Sequence, residues 1–558
     1  MKKFWLISIF CLFAVNATAA ERFIIRVATP LQVNQLTQGG SAAQKVRTEL
    51  TQALSPTFID TLSDIASNLS ETDAVQVKEL SSLSIGAHVI LLERNLNAEK
   101  TQEFIKQIAQ LPNVVFISED RKLQIQSSKV KQINPLQWDM AEAATVIPPY
   151  PLGGMWGGDN MVNAWEELAQ HALAPGEDVV VAVIDTGYTP NSNILSALQP
   201  LNRRKDEGDE HKTEYGYQMI SDCRISGQCA ASTPSWLASK LKYQANALDL
   251  GDFLTEEAIL ESNGFFEGCA VEDSTWHGTH VTGTIVANGY SIDKPKAVTG
   301  GAYAAKLVPV RVLGKCGGYD SDVIEGMLWA AGIDIRDSHP EVLPNKHPAQ
   351  VLSMSLGEAS PCSEVPALQE AINLINEQGA VIVVAAGNSS LDISGFNPAG
   401  CEGVISVAAK GPSNQLTYYS NFGATTIAAS GGDRTIADCP AGDPTCPSSV
   451  YSTVWSSLQA FAPRIQGGKD AWITYQGTSM STPHVAAAVA NIIAVLKAQG
   501  QDGKYTRDEI IKILQRTAAP YNNCNYANGN NYCTDNDYAL DTAAAIKYVL
   551  KHHHHPRP

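Results

Sequence analysis

Five nearly unbroken apolar runs constrain this chain more than any other feature: Val179-Val180-Val181-Ala182-Val183-Ile184, and then residues 307–312, 351–356, 380–386 and 404–409. A segment that is apolar at consecutive positions has no face to give to water. It suits a strand covered on both sides, as in a parallel sheet. Segments with helical spacing lie between the runs, such as 322–331 and 367–377. That alternation predicts an α/β fold with a doubly wound, mostly parallel sheet. Ligands of such sheets collect beyond the carboxyl ends of the strands, so residues at those exits are where chemistry is sought.

The N-terminal part follows different rules. Lys2 and Lys3 precede an apolar run over 4–15, followed by Ala17-Thr18-Ala19-Ala20. A basic start, a short apolar stretch and small residues at the cut make a secretory signal peptide over 1–20. The run is short for a bilayer core of roughly 30 Å, and no other segment is expected to span a membrane. Residues 21–126 then predict a small α+β unit without cysteine. In it Phe23-Ile24-Ile25-Arg26-Val27, His88-Val89-Ile90-Leu91-Leu92 and Val114-Val115-Phe116-Ile117 read as strands. Residues 101–111 read as a helix with Phe104, Ile105 and Ile108 on one face. The polar stretch 124–135, with Lys129 and Lys131, reads as an exposed linker.

A length of 558 residues exceeds one core and implies separate folding units. With 44% hydrophobic and 17% charged residues, the composition is that of a globular protein. The net charge is −17 and no basic stripe occurs, which argues against nucleic acid or anionic membrane as a partner. Eleven cysteines are present, and removal of the signal peptide takes Cys11. The remaining even set in an exported chain predicts disulfides. Cys439/Cys446 and Cys524/Cys533 are spaced to close short loops, and Cys362/Cys401 makes a longer pair. Cys223, Cys229, Cys269 and Cys316 cannot be paired from sequence. Zinc is disfavoured because no CxxC spacing occurs. Residues 189–275 are irregular and charge-rich, including Arg203-Arg204-Lys205-Asp206-Glu207, and read as a long surface excursion pinned by disulfides. The tail 551–558, with His552 to His555, is given no role.

Four motifs sit at or near strand exits. Asp185 ends the first run in Val183-Ile184-Asp185-Thr186-Gly187, where a rigid carboxylate can hold an imidazole. Asp-Thr-Gly also occurs in aspartic proteases, but there it comes twice, and here no second copy exists. His277 opens Trp276-His277-Gly278-Thr279-His280, whose small residues let a helix start close to the sheet. His280 lacks the HExxH pattern of a metal site and reads as a packed, hydrogen-bonded histidine. Asn388, in Ala385-Ala386-Gly387-Asn388, offers a side-chain amide donor. Ser479, in Gly477-Thr478-Ser479-Met480-Ser481-Thr482-Pro483-His484, precedes the helical stretch 485–496. A serine at a helix start is exposed, and the helix N-terminus favours developing negative charge. Pro483 is tolerated near the first turn.

The order Asp185, His277, Asn388, Ser479 closely resembles the subtilisin-like serine peptidases, over about residues 137–550. The stretch Val310-Arg311-Val312-Leu313-Gly314-Lys315-Cys316-Gly317-Gly318, the insertion before His277 and the cysteines resemble the disulfide-bonded, dichelysin-like extracellular proteases of Gram-negative bacteria. Residues 21–126 resemble the family's inhibitory propeptide, with 127–136 as the processing linker. The resemblance implies a serine endopeptidase with Asp185, His277 and Ser479 as catalytic triad and Asn388 in the oxyanion hole. It implies a cleft edged by Gly317 and Gly318 on one side and Ser355, Leu356 and Gly357 on the other, with Ala385, Ala386 and Gly387 as a pocket wall. Phe396 at the pocket base implies a shallower pocket, and Asp320 a more distant subsite favouring basic groups. Expected partners are protein and peptide substrates and the chain's own propeptide, with no nucleic acid and no stable membrane association. A monomer, secreted through the periplasm of a Gram-negative cell, is expected. No organic cofactor is expected; structural calcium is, with its ligands unassigned. A self-cleaving-only relative or a binding protein on the same scaffold is the alternative.

Overall fold

A computed structural model of the chain describes residues 22–38, 45–46, 49–50, 52–70, 74–83, 87–93, 96–119, 136–142, 157–205, 211–238, 241–288, 297–435, 449–456, 469–525 and 532–552. The expected signal peptide, almost all of the linker, Cys439, Cys446 and the histidines beyond His552 lie outside the described residues. Two compact units divide the chain, Met1–Gln126 and Ser127–Pro558.

In the first unit, strands β1 (Arg22–Val27), β2 (Val77–Leu83), β3 (Ala87–Leu92) and β4 (Val114–Glu119) form an antiparallel sheet in the order β2-β3-β1-β4. Helices α1 (Pro30–Gln38), α2 (Pro56–Leu69) and α3 (Ala98–Ala109) accompany it. Phe104 and Ile108 of α3 are fully buried with Phe23, Ile25 and Leu62, as their helical spacing requires. The helix starts earlier than its apolar residues suggest. Asn97 caps it, its Oδ1 accepting from Lys100 N at 2.9 Å.

The second unit is built on ten described strands. These are β5 (Val180–Asp185), β6 (Tyr217–Gln218), β7 (Gln244–Ala245), β8 (Lys306–Arg311), β9 (Val351–Met354), β10 (Val381–Ala385), β11 (Ile405–Lys410), β12 (Ile427–Ser430), β13 (Ala519–Pro520) and β14 (Tyr538–Ala539). Their order is β13-β14-β12-β11-β10-β9-β5-β8-β6-β7. All neighbours are parallel except the edge pairs β13/β14 and β6/β7. Alternate residues of each strand enter different cores. Val181, Val183, Val351, Val383 and Val407 join one, and Ala182, Ile184, Leu352 and Val384 join the other. The first core is covered by helices α4 (Met161–Gln170), α5 (His277–Val286), α7 (Thr478–Ala498), α8 (Arg507–Arg516) and α9 (Thr542–His552). The second is covered by α6 (Asp320–Ala330) and by the helix Pro366–Glu377. This double covering is the physical reason that the strands read as unbroken apolar runs. The chain reverses its direction of winding between β5 and β9, so the exits of those two strands open a crevice.

Two expectations are corrected here. The segment 189–275 is not only a surface excursion: β6 and β7 extend the large sheet, and Asp222, Arg224 and Asp249 are buried. Its charges are tolerated because they are paired, as when Arg224 grips both oxygens of Asp222 at 3.1 and 2.7 Å. Helix α7 is also long and apolar enough to cross a membrane, contrary to the expectation that only the N-terminal run might. Its most apolar window is 94% buried, so its surface faces the core instead. Disulfides join Cys362 to Cys401 and Cys524 to Cys533 as the spacing predicts, and join Cys223 to Cys229 and Cys269 to Cys316, which spacing alone left open.

Candidate active site

Asp185 ends β5 and is fully buried. Its Oδ1 accepts from Thr186 N at 2.7 Å, and its two oxygens lie 2.9 and 3.0 Å from His277 Nδ1. A carboxylate only accepts, so this partner assigns the proton to Nδ1 and leaves Nε2 as the basic nitrogen. His277 is the first residue of α5. The helix starts this close to the sheet because residue 278 has no side chain: a Cβ there would sit 2.3 Å from Gly187 O.

Two carboxylates from the 189–275 segment brace this histidine. Asp252 accepts from Thr275 N at 2.8 Å and Thr275 Oγ1 at 2.6 Å, and Thr275 Oγ1 accepts from His277 N at 3.2 Å. Asp249 accepts from Thr186 Oγ1 at 2.8 Å, and that hydroxyl accepts from Gly278 N at 3.0 Å. Burial opposes protonation of His277, but Asp185, reinforced by Asp252 and Asp249, outweighs it and holds its pKa above the ordinary histidine value. Asp249 is itself pushed up to about 7 by burial, against the pull of Arg311. Arg311 is buried on β8 and donates to Thr186 O at 3.1 Å and Gln218 Oε1 at 2.6 Å. Neither Asp249 nor Asp252 was singled out by sequence. They stand in an irregular stretch with no period to mark them.

Ser479 lies in the first turn of α7, where backbone amides lack intrahelical partners. Gly477, at φ 149°, turns the chain into this helix through a conformation that L side chains rarely adopt. Asn388 follows the exit of β10. Its Oδ1 accepts from Thr478 N at 2.8 Å and Thr478 Oγ1 at 3.0 Å, which fixes the amide and leaves its NH₂ as the donor. Pro483 lies inside α7 and has no N–H to offer the Ser479 carbonyl. Ser355 Oγ fills that place at 2.8 Å, while Ser479 Oγ donates to Ser355 O at 3.3 Å. No hydrogen bond among the described residues joins Ser479 Oγ to His277.

A cleft of ≈ 480 Å³ opens beside His277. Gly317, Gly318, Ser355, Leu356 and Gly357 line it, together with Asp252, Glu272, Asp320 and Glu358. The expected wall residues Ala385, Ala386 and Gly387 are not among its lining. Ala386 is buried in the same core as Phe396, and Ala385 is buried beside it in the chain. A Cβ on Gly387 would meet Phe396 Cζ at 2.7 Å, and one on Gly357 would meet Cε1 at 2.6 Å, so this ring fills the space between the two chain segments. His280 is buried, its Nε2 3.2 Å from Ile473 O, and burial pushes its pKa down to about 3, so it is a neutral packing residue. No cluster of three or more His, Cys, Asp or Glu side chains suited to a metal ion occurs among the described residues, so the expected calcium gains no assigned ligands.

Residues 176–535 match the Peptidase S8 subtilase family. The chain is 31% identical over 426 residues to an extracellular protease of Xanthomonas campestris pv. campestris, covering 76% of this chain and 59% of that protein. It is 40% identical over 389 residues to an extracellular basic protease of Dichelobacter nodosus, covering 69% of this chain and 53% of that protein. It therefore spans little more than half the length of these curated relatives. A solved protease structure from Pseudoalteromonas arctica is similar at 31% identity and a TM-score of 0.54, covering 75% of this chain and 100% of that one.

Proposed function

The chain belongs to the subtilase family, and from that membership we propose that it is a secreted serine endopeptidase that cleaves proteins through an acyl-enzyme and is made as a self-processed precursor. The observation that carries this reading is the grip of both Asp185 oxygens on His277 Nδ1, at 2.9 and 3.0 Å. It orients Nε2 as a base and balances the charge that the ring gains.

Entry of an extended peptide between 317–318 and 355–357 adds a strand to the cleft edges. Ser479 Oγ leaves the Ser355 carbonyl for His277 Nε2, a contact that tightens in the substrate complex. His277 takes the hydroxyl proton as Oγ bonds to the peptide carbonyl carbon. The oxyanion so formed accepts hydrogen bonds from the Asn388 NH₂ and the Ser479 N–H, both fixed before reaction. His277 returns the proton to the departing amine, and water, deprotonated by the same base, releases the acyl group from Ser479. Residues 21–126 act as folding aid and inhibitor, and the cut falls within 127–136. Secretion follows removal of residues 1–20. Each step uses side-chain and backbone groups of the chain and water.

The test is expression of the precursor beside Ser479→Ala, following chain mass and casein hydrolysis together. Wild type should lose roughly the first 130 residues (the propeptide and linker boundaries above) and digest casein. The variant should do neither, with kcat lowered by about 10⁶, the loss known for the equivalent removal in subtilisin. A variant that digests casein at the wild-type rate overturns the assignment. A wild type that is processed but leaves casein intact favours a self-cleaving-only protein.

A further inference from the structure

Beneath the first turns of α7 lies a sealed set of charges that hydrolysis itself does not use. His484 is fully buried. Its Nδ1 is 2.7 Å from the carbonyl of Met480, the residue after Ser479, and its Nε2 is 2.8 Å from Asp139 Oδ2. The carbonyl accepts and an ionised Asp139 accepts, so both ring nitrogens donate and the ring pairs with Asp139 as an imidazolium; burial pushes the Asp139 carboxyl up, and the hydrogen bond and charge of His484 pull against it. Asp159 Oδ2 lies 3.9 Å from Nδ1, and Asp159 is in turn paired with buried Lys410 at 3.2 Å. The group therefore holds two anions and two cations, a balance that lets charge persist away from water. Burial opposes protonation of His484, but Asp139 and Asp159 prevail and hold its pKa above the ordinary range.

Asp139 reaches this place from the start of the second unit. It sits in the short 3₁₀ turn Trp138–Met140. That turn is pinned by Trp138 Nε1, which donates to Ser449 O at 3.0 Å, and by Gln137, which exchanges hydrogen bonds with Thr299 O and N at 2.8 and 3.1 Å. Asp139 O also accepts from Asp159 N at 2.8 Å. The segment immediately after the linker is thus tied, through one buried imidazolium, to the carbonyl next to Ser479.

We infer that Asp139 is a positioning residue for Ser479: through His484 it holds the Met480 carbonyl, so the turn that presents the Ser479 hydroxyl and N–H is set only when residues 137–140 are docked. The inference rests on Ser479 being the nucleophile. It also confines processing, because a cut after Asp139 or farther along would remove the anion that holds His484.

The test compares wild type, Asp139→Asn and the double variant Asp139→Leu/His484→Met, the last of which removes both charges and refills the space with apolar groups. For each, kcat and KM on a peptide amide, the labelling rate of Ser479 by a fluorophosphonate probe, and Tm are measured at a temperature where the chain is folded. Asp139→Asn should lower kcat and the labelling rate by about 10- to 100-fold, the scale of a small misplacement at a reacting atom, with KM within about twofold. The double variant should regain Tm without regaining kcat. Wild-type kcat and labelling in Asp139→Asn, or recovery of kcat together with Tm in the double variant, overturns the inference. So does failure of both variants to fold, which would make the contact a requirement of folding alone. A wild type that neither takes the probe nor turns over substrate sinks the peptidase reading itself. Variants equal to an active wild type sink only this one.

Discussion

Asp252 never touches the His277 ring and reaches its backbone only through Thr275, yet its charge helps to raise the pKa of the base. In the proposed mechanism His277 must be neutral to accept the Ser479 proton, so the acid limb of kcat/KM lies at the pKa of the free enzyme's base. Replacing Asp252 by Asn removes a negative charge that favours the imidazolium. The His277 pKa then falls, and the limb should move to lower pH. A pH–rate profile of both enzymes checks this, and an unmoved or rising limb would leave Asp252 a purely structural anchor. In the same proposal Asn388 acts on the other charge, the oxyanion. Asn388→Ala should lower kcat by about 10² to 10³ at nearly constant KM, the loss known for the equivalent donor in subtilisin. It also frees Thr478 N and Oγ1 from Asn388 Oδ1, so Tm should be recorded beside kcat. For Phe396 and Asp320 the expectation is an effect on selection rather than on rate. In profiling with a peptide library, Phe396→Gly should admit larger side chains before the cleaved bond. Asp320→Ala should weaken a preference for basic groups farther along the cleft, since Asp320 lines it with no lysine or arginine among the lining residues.

At the scale of elements, the site is assembled where helix starts meet strand ends. Helix α5 brings His277 to the end of β5, and α7 brings Ser479 to the exits of β9 and β10. Both contacts demand closeness, which Gly278 supplies on one side. On the other side the missing N–H of Pro483 leaves a carbonyl for Ser355 to satisfy. The disulfide Cys269–Cys316 closes 47 residues of separation and ties the segment carrying Asp249 and Asp252 to the turn bearing Gly317 and Gly318. The loop-closure model puts its stabilisation at about 4 kcal/mol. Converting both cysteines to serine should lower Tm. It should also raise KM more than it lowers kcat, because the loosened part is the proposed substrate edge, whereas His277 and Asp185 keep their own hydrogen bonds. Equal changes in kcat and KM would place the disulfide's influence at His277 instead.

Over the whole molecule, the chain carries an independent antiparallel unit and a doubly wound unit, and division at residue 126 coincides with the polar stretch that reads as a linker. The sequence by itself determined the parallel sheet, because burial on both faces forces apolar residues at every strand position. It also determined the neighbourhood of Asp185, His277, Asn388 and Ser479, because a strand exit needs glycine and a helix start favours a hydroxyl. These signals are set by contacts within a few residues. Tertiary structure alone decided which of the four remaining cysteines pair, that Asp249 and Asp252 lie beside His277, and that the Phe396 ring packs between Gly357 and Gly387. It alone brought Asp139 to His484 across 345 residues. A buried polar group is acceptable only beside its partner, and the chain shows no local period for a partner that arrives from hundreds of residues away. Apolar faces announce themselves along the sequence, whereas charge pairing appears only when the segments have met.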